Sequence, residues 1–310
     1  SFNSSEALAC VVDKDTFSLN KLSEYCSQNL NPSSFKGDSS WVVLSPIEKR
    51  IKEKIEKVGK PLKDWDISIY RGILTGYNEA FIIDGATKDA LIAKSAKNAE
   101  IIRPILRGRD IKRYKAEFAD LWILNVHNGT PSTPPININD YPEVKAYLDQ
   151  FYPALEKRQD KGITPYNLRS CIYTDDFSKQ KIIYPNMTKF LPFYYDDKGY
   201  FTNQKCFIIT GENIGFLSAF LNSVLFRFCF KNNFPELFGD TRELSKIFFE
   251  QIPVIELDNT TNEKFIEFVR KISDMKKSGF ETKLLENEID QMIFALYNLT
   301  SEEISFINSR

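Results

Sequence analysis

The run IGFLSAFLNSVLFRFCF, residues 214–230, constrains this chain more than any other stretch. A helix that is apolar on every side must be surrounded by other elements or by lipid. The run is slightly short for a membrane span and carries Asn222 and Arg227, so it reads as a core helix capped by Asn213. The rest of the fold has to wrap it. The means are present: 42% of the 310 residues are hydrophobic, with 25 Phe and 14 Tyr, which excludes intrinsic disorder. That length suits one large domain or two. The five cysteines, at 10, 26, 171, 206 and 229, lie far apart with only His127 to join them. No zinc motif can be drawn from them, and a reducing cytoplasm is the expected compartment. No signal segment opens the sequence. It begins at Ser1 instead of Met, which suggests a piece of a longer protein.

Turn and periodicity signals lay out the elements. Residues 1–40, rich in Ser and Asn, read as a connector. Ser45, Pro46 and Glu48 form a capping box, Ile47, Ile51, Ile55 and Val58 an apolar stripe, and Gly59 with Pro61 a stop, predicting a helix over 46–58. Ile67 and Ile69 alternate as a strand, and AFII (80–83) reads as its hairpin partner across Thr75-Gly76-Tyr77-Asn78. Two short helices capped by Thr87 and Asn98 follow, the second ending near Leu106. LWILNV (121–126) is a strand, NGTPSTPPININD a loop, and Val144, Leu148, Phe151 and Leu155 mark a helix. KIIYPN (181–186), FYYDDKGYF (193–201, folding on Asp197-Lys198-Gly199) and CFIIT (206–210) are further strands. Residues 263–277 and 282–297 form a helical hairpin across Ser278-Gly279, and Thr300 with Glu303 caps a last helix.

Enzyme chemistry is scarce. There is no Asn/Asp-Pro-Pro-aromatic loop, no G-x-G-x-x-G turn and no G-x-S-x-G elbow, and a lone His127 is more often structural. Asp274, Glu281 and Lys283 follow the order of a Mg²⁺-dependent nuclease, but the same residues suit a solvated helix end.

Charge distribution says more than the net charge of −1. Arg103, Arg107, Arg109, Lys112, Arg113 and Lys115 stand against Asp110 alone, whereas 240–310 holds 9 basic and 14 acidic residues. The basic loop can hold phosphates without reading sequence, or can simply be a solvated face. In the stretch YRGILTGYNEAFIID (70–84), Arg71 can offer a fork to guanine, Asn78 can pair with adenine, and Gly72 and Gly76 allow close approach of a ligand. The same residues also suit a tight turn with a local Asx bond. Residue chemistry leaves both readings open.

Five segments add a resemblance. WVVLSPIEKRIKEKIEKVGKPLKDWDISIYRGILTGYNEAFIID, AEIIRPILRGRDIKRY, KQKIIYPNMTKF with GYFTNQKCFIIT, FLNSVLFRF and FFEQIPV are similar, in order, to the TaqI-like C-terminal specificity domain. That domain is the target-recognition part of N6-adenine DNA methyltransferases and of type IIG or IIS restriction-modification enzymes. The ending LLENEIDQMIFALYNLTSEEI also resembles their tail. After RQDKG this chain has ITPYNLRS where relatives often carry a Trp, so Tyr166 takes that place.

The resemblance implies an α+β target-recognition domain over 41–255 with a mixed or antiparallel sheet, a connector over 1–40, and a C-terminal helical hairpin within 256–310. It implies double-stranded DNA as the partner, no membrane, and no catalysis in this segment. S-adenosylmethionine, and Mg²⁺ where a nuclease is fused, would belong to an N-terminal methyltransferase domain of the same polypeptide. The expected contacts are Arg71, Thr75 and Asn78 near the duplex, Arg107, Arg109, Lys112 and Arg113 on phosphates, and Asn186, Thr188 and Lys189 on bases, with Tyr184 and Tyr194 in the core. Two rivals stand beside this reading: a protein-interaction scaffold docking through the acidic C-terminal hairpin, and a nuclease using Asp274, Glu281 and Lys283.

Overall fold

A computed structural model describes residues 6–10, 12, 22–34, 43–189, 191–233 and 241–309. Within the first forty residues, a strand pair (Glu6–Ala9 with Asn31–Ser34) and a helix (Leu22–Asn29) contribute nothing to either hydrophobic core. The main body, in chain order, comprises α1 (Pro46–Val58), β1 (Ile67–Arg71), β2 (Ile82–Asp84), α2 (Gly85–Lys94), β3 (Ile102–Leu106), β4 (Leu121–Leu124) and α3 (Pro142–Asp149). It continues with β5 (Lys181–Pro185), β6 (Tyr194–Asp196), β7 (Phe201–Thr202), β8 (Cys206–Gly211), α4 (Ile214–Leu221) and α5 (Val224–Asn233). The last helices are α6 (Asn259–Lys277), α7 (Lys283–Leu296) and α8 (Ser301–Asn308).

Two four-stranded sheets organise it. The first, ordered β6-β5-β8-β1, is antiparallel throughout. The second, ordered β7-β3-β4-β2, is mixed, with β7 parallel to β3. The fold is thus α+β with both kinds of pairing. One core packs α1, α4, α5 and the C-terminal helices on the first sheet, through Ile51, Phe216, Phe265 and Ile293. The other fills the space between the second sheet and α3 and takes in Ile183 and Ile208 from the first sheet. Tyr184 is completely buried in the first core, and Tyr194 lies in the second.

Local signals placed α1 well. Ser45 accepts from the Glu48 amide while the Glu48 carboxylate accepts from the Ser45 amide at 2.7 Å, and Ile51 and Ile55 are buried. Thr300 and Glu303 repeat the box at α8.

Several expectations need correction. Residues 67–84 are not a hairpin: β1 and β2 belong to different sheets, and 78–81 is one helical turn. Thr87 is not a cap; its amide donates to Asp84, the true N-cap of α2, at 2.8 Å. Asn98 caps nothing either, because its buried amide donates to the Leu91 carbonyl, and Ile102–Leu106 is a strand. Pro104, which cannot donate within a helix, argues against a helix running to Leu106.

The 193–201 stretch also divides, β6 going to the first sheet and β7 to the second. The cause is Asp196, whose carboxylate accepts from the Lys198 and Tyr200 amides at 3.0 and 2.9 Å and re-aims the chain. Finally, 214–230 breaks into α4 and α5. Asn222 turns its amide back to the Ser218 carbonyl (2.9 Å), and the Ser223 hydroxyl accepts from the Phe226 amide (3.1 Å). Asn213 precedes α4 in the left-handed region (φ 56°) without a side-chain cap bond.

Candidate nucleic-acid interface

The chain passes between the sheets at 72–81 and 197–200 and returns at 203–205, and these crossings form a seam. Gly72 N–H donates to the Cys206 carbonyl (2.9 Å), Ile73 N–H to Thr202 (2.7 Å) and Asn203 N–H to Leu106 (3.3 Å). A Cβ on Gly72 would lie 2.0 Å from the Asn203 carbonyl oxygen, so no side chain fits there. The groups of the 70–84 stretch therefore largely meet their own chain. Gly72 is pressed against the Asn203 backbone. Gly76, at φ 68°, sits against Asp160. Thr75 is buried, its hydroxyl donating to the Asn78 carboxamide oxygen at 2.6 Å and its carbonyl accepting from Arg158.

Beside the seam opens a cleft of about 810 Å³ lined by Gly108, Arg109, Lys112 and Arg113 on one bank and by Pro185, Asn186, Met187 and Thr188 on the other, with Lys205 completing it. Leu191 and Pro192 add apolar lining. The first bank is shaped by Asp110. Its buried carboxylate accepts from the Arg107 amide (2.8 Å) and from both edges of the Arg107 guanidinium (2.9 and 2.8 Å), closing a helical turn over 108–110. That contact raises the Arg107 pKa above its ordinary value, so Arg107 stays charged but committed. Arg109 is left exposed on the turn. Gly108 passes the second bank closely: a Cβ there would be 3.3 Å from the Pro185 side chain.

Arg113 is braced from the helical side. It donates to the Asn222 carbonyl through Nε (3.0 Å) and Nη2 (2.6 Å) and pairs with Glu286 through Nη1. The second bank is held by main chain. Asn186 N–H donates to Lys205 (2.8 Å), its carbonyl accepts from Leu244 N–H (2.7 Å), and Met187 and Thr188 pair with Glu243 and Arg242.

The structure thus brings Arg109, Lys112, Arg113, Asn186 and Thr188 around one cleft. Arg71 lies on a different one, Arg107 is spent on Asp110, Thr75 and Asn78 hold each other, and exposed Lys189 follows Thr188 outside the lining. The basic loop is also less positive than its residue count. Lys112 and Lys115 share Glu117 at 3.7 and 3.0 Å, and Arg103 donates to the Ala99 and Ile102 carbonyls. Arg109 and Lys205 make no ion pair among the described residues, and Lys205, the last residue of the 203–205 crossing, enters the cleft through the fold and not through any sequence motif. A second cleft, of about 340 Å³, lies against Arg71, Gly72, Arg169, Tyr173 and Gln204. Its two arginines are nearly a hundred positions apart, and only the fold brings them together.

The three residues in nuclease order do not form a carboxylate cluster among the described residues. Asp274 is an exposed side chain near Lys277, and Glu281 accepts from the Thr282 and Lys283 amides at 3.1 and 2.9 Å, a local turn. Among the described residues no three His, Cys, Asp or Glu side chains gather for a metal ion, and no helix is long and apolar enough to cross a membrane.

Two solved structures share this fold. The type IIL restriction-modification enzyme MmeI, determined in complex with DNA, matches 81% of this chain and 36% of its own at a TM-score of 0.56 and 12% identity. The type IIG restriction endonuclease BpuSI matches 93% and 40% at 0.52 and 16%. The fold is therefore one found in restriction-modification enzymes. Residues 103–254 match the family model of the TaqI-like C-terminal specificity domain. A relative from Geobacillus stearothermophilus, the type II methyltransferase M.BstVI, is 22% identical over 283 residues, 88% of this chain; the chain spans about half of that protein, 47%.

Proposed function

We propose that this chain is the target-recognition module of an adenine-directed DNA methyltransferase of the restriction-modification kind, non-catalytic by itself. Methyl transfer from S-adenosylmethionine, and cleavage with Mg²⁺ if the parent also cuts, would fall to another part of the same cytoplasmic polypeptide. The observation that carries this reading is a coincidence of place: every residue lining the larger cleft, from Gly108 to Lys205, falls inside the segment matching the specificity domain.

The cleft has the two kinds of group that sequence-specific duplex binding needs. Arg109, Lys112 and Lys205 offer cations to phosphates, which fix register without reading sequence. Asn186 and Thr188 stand on a bank held by backbone bonds, so their side chains are aimed by a rigid support. A good bidentate pair to a base edge discriminates by about 1 to 3 kcal/mol. The parent enzyme would then act on an adenine turned out of the stack, since a stacked base cannot reach a methyl donor.

The test is duplex binding followed by fluorescence anisotropy across a salt series. With about three phosphates neutralised in this cleft, it alone should contribute about −2.7 to the slope of log K against log salt. Arg109→Ala should weaken all sequences alike and flatten the slope by about 1, while Asn186→Ala should change the preferred site in a selection from random duplexes. Absence of duplex binding at low salt would overturn the proposal.

A further inference from the structure

The second cleft takes no part in the reading above. Arg71 reaches it from the end of β1 and Arg169 from the loop after α3. Arg71 is oriented by one bond, Nε to the Gln204 carbonyl at 2.9 Å, and its two terminal nitrogens have no partner among the described residues. Arg169 holds Asp160 through Nη1 at 3.0 Å, with its side chain 60% exposed, and its remaining nitrogens are likewise unpartnered among the described residues. Two guanidiniums with free donors thus border one hollow, an arrangement whose donor geometry suits the oxygens of an anion.

The wall between them is prepared. Tyr173 stacks on Tyr70 with centroids 4.2 Å apart and planes within 4°, and Phe177 and Phe201 continue the aromatic series inward. Burial, with Cys171 alongside, pushes the Tyr173 phenol up to about 12 against the pull of both arginines, so the wall adds no negative charge. Gln204 lines the hollow with a carboxamide oxygen that is buried and unpartnered among the described residues. A half-turn of that amide would present its NH₂ to an anion. The loop bearing Arg169 and Tyr173 is anchored by Leu168 N–H on Val126 (2.8 Å) and by Lys181 Nζ on the Phe177 carbonyl (2.6 Å).

We propose that the Arg71–Arg169 cleft seats a backbone phosphate of the bound DNA, so that the seam turn 203–205 rides between two phosphate-holding clefts. Gln204 faces one and Lys205 the other. The proposal rests on the duplex-binding reading of the larger cleft and adds Arg169 and Arg71 as phosphate-positioning residues on its far side.

The experiment uses the 310-residue chain and random-sequence duplexes. Arg169→Ala should weaken binding about tenfold and flatten the salt slope by about 1, equally for all sequences. Arg169→Lys should recover most of the affinity, and Asp160→Asn, which removes the competing carboxylate, should strengthen binding. Far-UV circular dichroism checks that each variant is folded; Arg169 is exposed enough for its removal to be tolerated. If the wild type binds duplex and Arg109→Ala weakens it while Arg169→Ala and Arg71→Ala change neither affinity nor slope, this inference is overturned and the larger cleft stands. If the wild type fails to bind duplex, both fall. Inorganic phosphate alone, titrated by calorimetry, separates the remaining case: saturable uptake lost in Arg169→Ala with duplex affinity unchanged would make this a small-anion site and overturn the proposal.

Discussion

Lys181 and Asp196 are both fully buried, 0% exposed, with Nζ 2.5 Å from Oδ2. Burial holds the Lys181 pKa below the ordinary lysine value against the opposing pull of Asp196. Such a pair owes its worth to completeness: Lys181→Met should cost about 3 to 5 kcal/mol in urea unfolding, with part of the loss regained in Lys181→Met/Asp196→Asn. His127 gives a pH signature. Burial lowers its pKa despite the nearby Asp175 charge, and its Nδ1 accepts from the Gly129 amide at 3.1 Å. Above about pH 6.5 the imidazole is neutral in both folded and unfolded chains and adds no pH dependence. As pH falls below that value the unfolded chain takes the proton first, so stability drops until the folded imidazole also titrates. The decline, at most about 1.4 kcal/mol per pH unit, should vanish from thermal melts of His127→Gln. At this scale the sequence revealed contacts within one turn, such as Ser45 with Glu48. It could not show that Arg113 would reach Glu286, 173 positions away, and even for the neighbours Arg107 and Asp110 residue type does not say which way a guanidinium turns.

Elements were legible wherever their signal was local. Caps and stripes located α1 and α8, alternation located β1, and short apolar runs located β5 and β8. Which strand pairs with which is set by distant residues, so 67–84 and 193–201 read as hairpins although each feeds two sheets. The glycine at the first crossing offers a direct check. Gly72→Ala would drive a methyl group into the Asn203 backbone, which cannot swing aside as a side chain would. Unfolding should shift by more than 2 kcal/mol, roughly the loss for an overpacked core site, against about 1 kcal/mol for Ser45→Ala at the α1 cap. Equal losses in denaturant titrations of the two variants would show that the crossing yields.

On the scale of the whole molecule, the C-terminal helices are not an appendage. Phe265, Val269, Ile272, Ile289 and Ile293 are buried in the same core as Ile51, Ile55 and Phe216, and Gly215 packs so tightly on Ile266 that a Cβ would meet it at 2.1 Å. A chain ending at Val254 should therefore lose cooperative unfolding, seen as a broad thermal transition by circular dichroism and rapid digestion by trypsin. The run at 214–230 announced that something must wrap it, and α6 and α7 are a large part of the wrapping. Arg113 links this half to the larger cleft, since its brace comes from Asn222 and Glu286. The joint between the halves relies on peptide groups at Gly72, Ile73 and Asn203, which every residue except proline supplies. Exposed or half-exposed cleft side chains that brace nothing, such as Arg109, Asn186 and Lys205, can accordingly be exchanged without unpicking the stitching, whereas Arg113 cannot.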